Sequence, residues 1–229
     1  MIEDAINYPR DGDDARMTIL IGGVLGLLSV LVVPVFLLLG FSVRVLRSVE
    51  AGEETPPTFG DWGELFVDGL KAFAIAFVYA IVPLVVLAAT AGGTIVAAVS
   101  GDVTPGAVAG ALFGFLLAGV LWLLAFYVIP AAVASFASEG RVGAAFDTAV
   151  LRRVLLDGRY ATAWLVAFAF FVVAGVVVGV LSVVPPLGFV VGAFLDFYVA
   201  VAAAYLYAHA FMDASVGEVP PETGAQPAV

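Results

Sequence analysis

The chain has 229 residues, of which 63% are hydrophobic and only 12% charged. A soluble domain carries about 25% charged residues, so there is too little polar surface here to cover a water-soluble globule. The net charge of −10 argues against nucleic acid as a partner; the lack of cysteine excludes disulfides and thiolate metal sites, and a single histidine, His209, excludes the usual His-cluster sites.

Mean hydropathy is +1.13, and the charges gather in short segments separated by long uncharged runs. That is the pattern of a membrane protein. Asp and Glu number 19 against 9 Lys and Arg, and Lys71 is the only lysine. Acidic, lysine-poor polar segments suit molar salt, where repulsion is screened, so a halophilic source is expected.

Three regions follow in order: an acidic N-terminal segment (1–17), a membrane helical domain (18–213) and an acidic tail (214–229) expected to be disordered. The N-terminal segment is acidic and leads into a long apolar run, unlike a cleaved signal peptide. The first apolar stretch runs from Thr18 to Ser42, with Pro34 inside it. The others are Ala72–Val99 (with Pro83), Ala107–Phe136 (with Pro130), Ala161–Val184 and, after Pro185-Pro186, Leu187–Phe211. A spanning helix needs roughly 20 apolar residues, and backbone groups in lipid must be satisfied internally, so these stretches predict an all-α, polytopic helical bundle. The runs do not alternate apolar and polar, which excludes a β-barrel.

Arg44, Arg47 and Lys71 flank the first connection; Arg141, Arg152, Arg153 and Arg159 occupy the third. The second and fourth connections carry no base. Basic loops stay inside, so the first and third connections and the C-terminus are expected in the cytoplasm of a multi-pass cell-membrane protein. Thr18–Ser42 either crosses as a fifth span kinked at Pro34 or folds back there as a re-entrant hairpin. The hairpin is favoured because it puts every basic residue on one side.

Two polar segments read as structured. Asp61-Trp62-Gly63-Glu64 has the spacing of a capping box that starts a helix leading into the second span, with Phe59, Trp62 and Phe66 as interfacial anchors. Arg141–Leu156 places Val142, Ala145, Phe146, Ala149, Val150, Val154 and Leu155 at helical spacing, as in a cytoplasmic amphipathic helix, with Gly158 as its stop.

The series Gly40-Phe41-Ser42-Val43-Arg44-Val45-Leu46-Arg47, Pro56-Pro57, Phe59-Gly60-Asp61-Trp62-Gly63 and Asp68-Gly69-Leu70-Lys71 resembles a membrane family called domain of unknown function 4013, common in halophilic archaea. The resemblance extends from about Met17 to Met212. Phe41 stands where the family often has tyrosine, so no role for that hydroxyl carries over. The resemblance implies a polytopic membrane protein of a halophile and supplies no activity.

Asp196, in Phe194-Leu195-Asp196-Phe197-Tyr198, is the first candidate site. A carboxyl at such depth costs about 2.5–3.5 kcal/mol on insertion scales and needs a partner or a role. Counted from the outer ends, Thr90 lies at similar depth as a hydrogen-bonding candidate, and Gly175 gives room. The second candidate is the segment of Asp61, Trp62, Asp68 and Lys71, a helix start and membrane anchor or a partner-docking element, with Lys71 paired to Asp68. Arg44, Arg47, Arg152 and Arg153 set topology or bind anionic headgroups. Small-residue spacings at Gly22/Gly26, Gly106/Gly110/Gly114, Gly175/Gly179 and Gly188/Gly192 suit close helix packing.

No catalytic constellation is visible, so the expectation is a non-enzymatic scaffold, accessory or sensing protein without cofactor or metal. Its partners are the lipid bilayer and other membrane proteins; the oligomeric state is left open. The alternative is a small-solute or ion transporter that uses Asp196.

Overall fold

The computed structural model describes residues 2–216. The helices are α1 (Ile2–Asn7), α2 (Ala15–Leu27), α3 (Val33–Glu50), α4 (Trp62–Ser100), α5 (Pro105–Glu139), α6 (Thr148–Leu156), α7 (Gly158–Leu181) and α8 (Pro185–Val216). No strand occurs among the described residues. Helices α4, α5, α7 and α8 are long and apolar enough to cross a membrane.

Local chemistry sets their ends. Helix α4 stops at Gly101 and α5 at Gly140, both left-handed, with φ of 77° and 69°. Helix α5 starts at Thr104, whose hydroxyl accepts from the Ala107 amide, with Pro105 in the first turn, where its missing N–H is not needed. Pro83 and Pro130 sit inside α4 and α5. The break between α7 and α8 falls at Ser182–Val184, and Pro185 and Pro186, expected to separate the two spans, instead form the first turn of α8, where a missing N–H is not needed.

Pro34 marks a reversal. After α2 a 3-10 turn covers Leu28–Leu31; Val32 then takes φ 66° and Pro34 lies in the first turn of α3. Gly22 of α2 and Phe41 of α3 both pack on the Phe197 ring of α8, while Gly26 meets Ala193. Helix α2 therefore descends α8 from Phe197 toward Ala193, and α3 returns along it toward Val49, beside Tyr205 and His209. The first apolar stretch is a hairpin whose tip, Val30–Val33, is exposed and apolar.

The acidic N-terminal segment is folded as well. Helix α1 and the turn Tyr8–Arg10 bend 86° from α2 and lie over the end of α8. Ala5 and Tyr8 are buried there, Tyr8 packing on Tyr205 and donating to the Thr55 carbonyl at 3.3 Å. The N-terminus, the α3–α4 connection and the end of α8 thus share one end of the bundle, with Arg10, Arg44, Arg47 and Lys71.

The surface segment after α5 is one element in the sequence and two in the fold. A 3-10 turn spans Val142–Phe146, and α6 starts only at Thr148. Asp147 breaks the helix because its carboxylate caps α6, accepting from the Ala149 and Val150 amides at 2.9 and 3.2 Å. The buried side chains are Ala144, Ala145, Leu151 and Val154, while Ala149 and Leu156 are exposed. Nor does Gly158 stop a helix: Asp157 caps α7 and Gly158 is its first residue. Of the tail expected to be disordered, 214–216 continue α8 and 217–229 lie outside the described residues.

The core sits at the charged end. Buried residues of α4 run from Leu65 to Pro83, and none follows in the rest of the helix; those of α5 run from Ala118 to Ala137.

Candidate functional site

Two adjoining places hold the chemistry. The first is at the charged end, where α3 and α4 cross with their backbones in contact. A Cβ at Gly40 would collide with the Leu65 carbonyl, and one at Gly69 with the Phe36 carbonyl. Only glycine allows this approach. It draws Asp68, next to Gly69, in toward α3.

Asp68 is 5% exposed. Its carboxylate accepts from Arg47 on one oxygen and from Lys71 on the other at 3.2 Å. Arg47 also donates to the Ala137 carbonyl at 3.3 Å and lies 3.8 Å from Glu64. The Ala137 carbonyl belongs to the last turn of α5, where no intrahelical partner remains and a cation is favoured. Arg47 and Lys71 both lie over the Phe136 ring, at 5.7 and 5.8 Å. One carboxylate, two cations and one ring therefore tie α3, α4 and α5 together. A carboxylate this deeply buried is tolerable because both of its oxygens are paired.

Arg44, one turn earlier, donates to the carbonyls of Thr58 and Gly60 at 3.3 and 2.8 Å and lies 3.7 Å from Glu64. It pins the loop that leads into α4. Phe59 completes the corner, stacked on Phe41 at 4.3 Å and on Trp62 at 5.7 Å. Trp62 remains partly exposed, and Phe66 packs edge-on against Phe36.

Several sequence readings change here. Asp61 is not the first half of a capping box. It takes a left-handed conformation, φ 45°, and makes no side-chain cap, while Glu64 turns to the arginines. Arg44 and Arg47 are committed to the protein rather than free for headgroups. Arg153 donates to the Ser215 carbonyl at 3.3 Å, and Arg152 is exposed. The link from Arg47 to α5 lay beyond sequence reasoning, because 90 residues separate Arg47 from Ala137.

Glu50, at the end of α3, has one carboxylate oxygen buried without a hydrogen bond. Burial pushes its carboxyl up to about 7, against the opposing pull of Ser138 and Arg47.

The second place is the groove around Asp196. It holds about 330 Å³ between the hairpin, α7 and α8, walled by Leu38, Leu39, Phe171 and Ala200, with Ser29 and Ser42 as its hydroxyls. Asp196 is exposed in this groove. Thr90 is not there. It packs against Gly114 of α5, bonds back to the Val86 carbonyl at 2.8 Å and lines a separate groove between α4 and α5. Thr90 and Asp196 share a depth along the sequence, but different grooves of the bundle keep them apart. Gly175 does not line the Asp196 groove either. His209 lies on a third, polar depression with Tyr8, Tyr205 and Glu53, away from Asp196.

Of the small-residue pairs, Gly22 and Gly26 face α8, and Gly114, Gly188 and Gly192 make close contacts. Gly110, Gly175 and Gly179 have open space beside them.

Over residues 24–183 the chain matches the family model described as "Protein of unknown function (DUF4013)". No curated protein and no solved structure matches it.

Proposed function

The chain belongs to the DUF4013 family, and from that premise we propose that it is a non-enzymatic accessory protein of the cell membrane, one that scaffolds, assists or senses another membrane protein. The observation that carries this reading is the shape of the Asp196 groove. Its lining on α8 extends from Ala193 to Val201. At about 1.5 Å per residue that is about 12 Å, against about 30 Å of hydrocarbon, so the groove suits lateral contact better than conduction across the bilayer. The charged groups at the other place are engaged with one another, which suits a fixed platform rather than a reacting site.

The basic end and the C-terminus lie in the cytoplasm on this reading, supported by the excess of arginine in the first and third connections. Partners are the lipid bilayer and membrane proteins, and the net charge of −10 speaks against nucleic acid. The acid excess and the single lysine support a halophilic source. For such a chain, melting temperature in detergent rises steeply with KCl; a flat response contradicts it.

The test is isolation from native membranes in mild detergent. A stable stoichiometric partner is expected. Recovery of the chain alone, together with wild-type growth of a deletion strain, contradicts the reading. A second reading, a small-solute or ion transporter, is favoured by one observation, an intramembrane carboxyl without a polar partner among the described residues. Loss of proton or ion flux in reconstituted Asp196→Asn supports that alternative, and unchanged flux removes it.

A further inference from the structure

We propose that the Asp196 groove docks one transmembrane helix of a different membrane protein, a helix that carries a lysine or arginine near mid-membrane. The proposal rests on the accessory reading and specifies the partner's chemistry.

The groove is apolar except for three groups, Asp196 and the hydroxyls of Ser29 and Ser42. Ser42 is already turned to the Leu38 carbonyl at 3.2 Å. Asp196 makes no hydrogen bond or ion pair among the described residues, and it is exposed among apolar side chains on α8, a helix long and apolar enough to cross a membrane. An ionised carboxylate in that position is expensive, and the expense falls away when a cation is brought to it. Salt screens such a buried pair weakly, so the pairing survives at high ionic strength.

A second copy of this chain cannot supply the cation. Residues 17–43, 72–140 and 160–208 contain no lysine, arginine or histidine. Every base lies at the charged end or in its connections. The complementary group therefore comes from another protein.

The walls suit a helix. Gly26, Ala193 and Ala200 line the groove, and small residues let a helix backbone approach closely. Leu38, Leu39 and Phe171 offer apolar contact on either side. The hairpin reverses at Val32, and its exposed apolar tip stands at the margin of the groove.

The experiment uses the purified full chain in liposomes and two synthetic helices of about 20 leucine and alanine residues, one with a central lysine and one with leucine in its place. Energy transfer between labelled chain and labelled helix reads binding. The lysine helix is expected to bind about tenfold tighter than the leucine helix, a difference of about 1.4 kcal/mol. Asp196→Asn removes that preference, Asp196→Glu keeps it, and Leu39→Trp, which fills the groove and keeps the carboxylate, weakens binding of the lysine helix. Equal binding of the two helices, or a preference that survives Asp196→Asn, overturns the proposal. So does saturable binding of tetraphenylphosphonium that depends on Asp196 when neither helix binds, which makes the groove a small-cation site. If Asp196→Asn still retains a native partner on isolation, the docking proposal falls and the accessory reading stands. If the wild-type chain retains no partner and its deletion strain grows as wild type, the accessory reading falls with it.

Discussion

The two ends of α4 and α5 are built on different principles. At the charged end, α4 meets α3 backbone to backbone through Gly40 and Gly69, and Asp68, Arg47, Lys71 and Phe136 close the junction. At the opposite end, Gly92, Gly93 and Gly110 have nothing within reach of an added Cβ, and Val96 and Val99 are exposed. The first end depends on particular residues at particular places. Beyond the Thr90–Gly114 contact, the second depends on apolar composition, because lipid accepts any side chain that is apolar.

Substitutions separate the two ends. Gly69→Leu forces a side chain into the Phe36 carbonyl and should abolish the fold, at well above the roughly 1–3 kcal/mol usual for overpacking; thermal unfolding in detergent reads it. Asp68→Ala removes the carboxylate shared by Arg47 and Lys71. A loss of about 2–3 kcal/mol is expected, together with looser attachment of α3 in proteolysis. Glu50 gives a dependence on pH. Its carboxyl is raised from 4.5 to about 7 in the fold, so the native state holds the proton more tightly than the unfolded chain. Stability should therefore fall as pH rises from about 4.5 to about 7 and be flat above, by about 1 kcal/mol after discounting for solvent screening. Glu50→Gln should erase the slope in melting curves taken across that range. Asp147→Ala deletes the cap of α6 and should cost about 1 kcal/mol. Gly92→Ala, in the open end, should change stability by no more than about 1 kcal/mol and in the favourable direction, from helix propensity alone.

The same contrast explains what the sequence revealed. Long uncharged runs located four spanning helices, and Pro34 correctly marked a reversal in the first stretch, because proline and lipid act locally on the chain. Contacts at a distance escaped. Gly40 and Gly69 make the tightest helix crossing and sit 29 positions apart in different elements; their only trace in the sequence was membership in the Gly40–Arg47 and Asp68–Lys71 motifs. The glycine pairs at regular spacing were weaker guides, since Gly175 and Gly179 touch nothing. Asp61 had the spacing of a cap but not the backbone: it is left-handed, in a loop whose Thr58 and Gly60 carbonyls accept from Arg44. Asp147 broke an apparent helix by capping a shorter one. Depth alone paired Thr90 with Asp196, and depth says nothing about which face a residue takes.

The fold depends on the first apolar stretch turning back on itself, so that both of its ends share the charged end of the bundle. The chain has no cysteine, so introduced thiols report singly. Asp13→Cys before the hairpin, Gly52→Cys after it and Asp102→Cys between α4 and α5 are labelled in sealed vesicles with a membrane-impermeant maleimide. Labelling of the first two from one side and of Asp102→Cys only from the other is the predicted result. Labelling of Asp13→Cys together with Asp102→Cys, opposite Gly52→Cys, would make the first stretch a fifth span and contradict the fold.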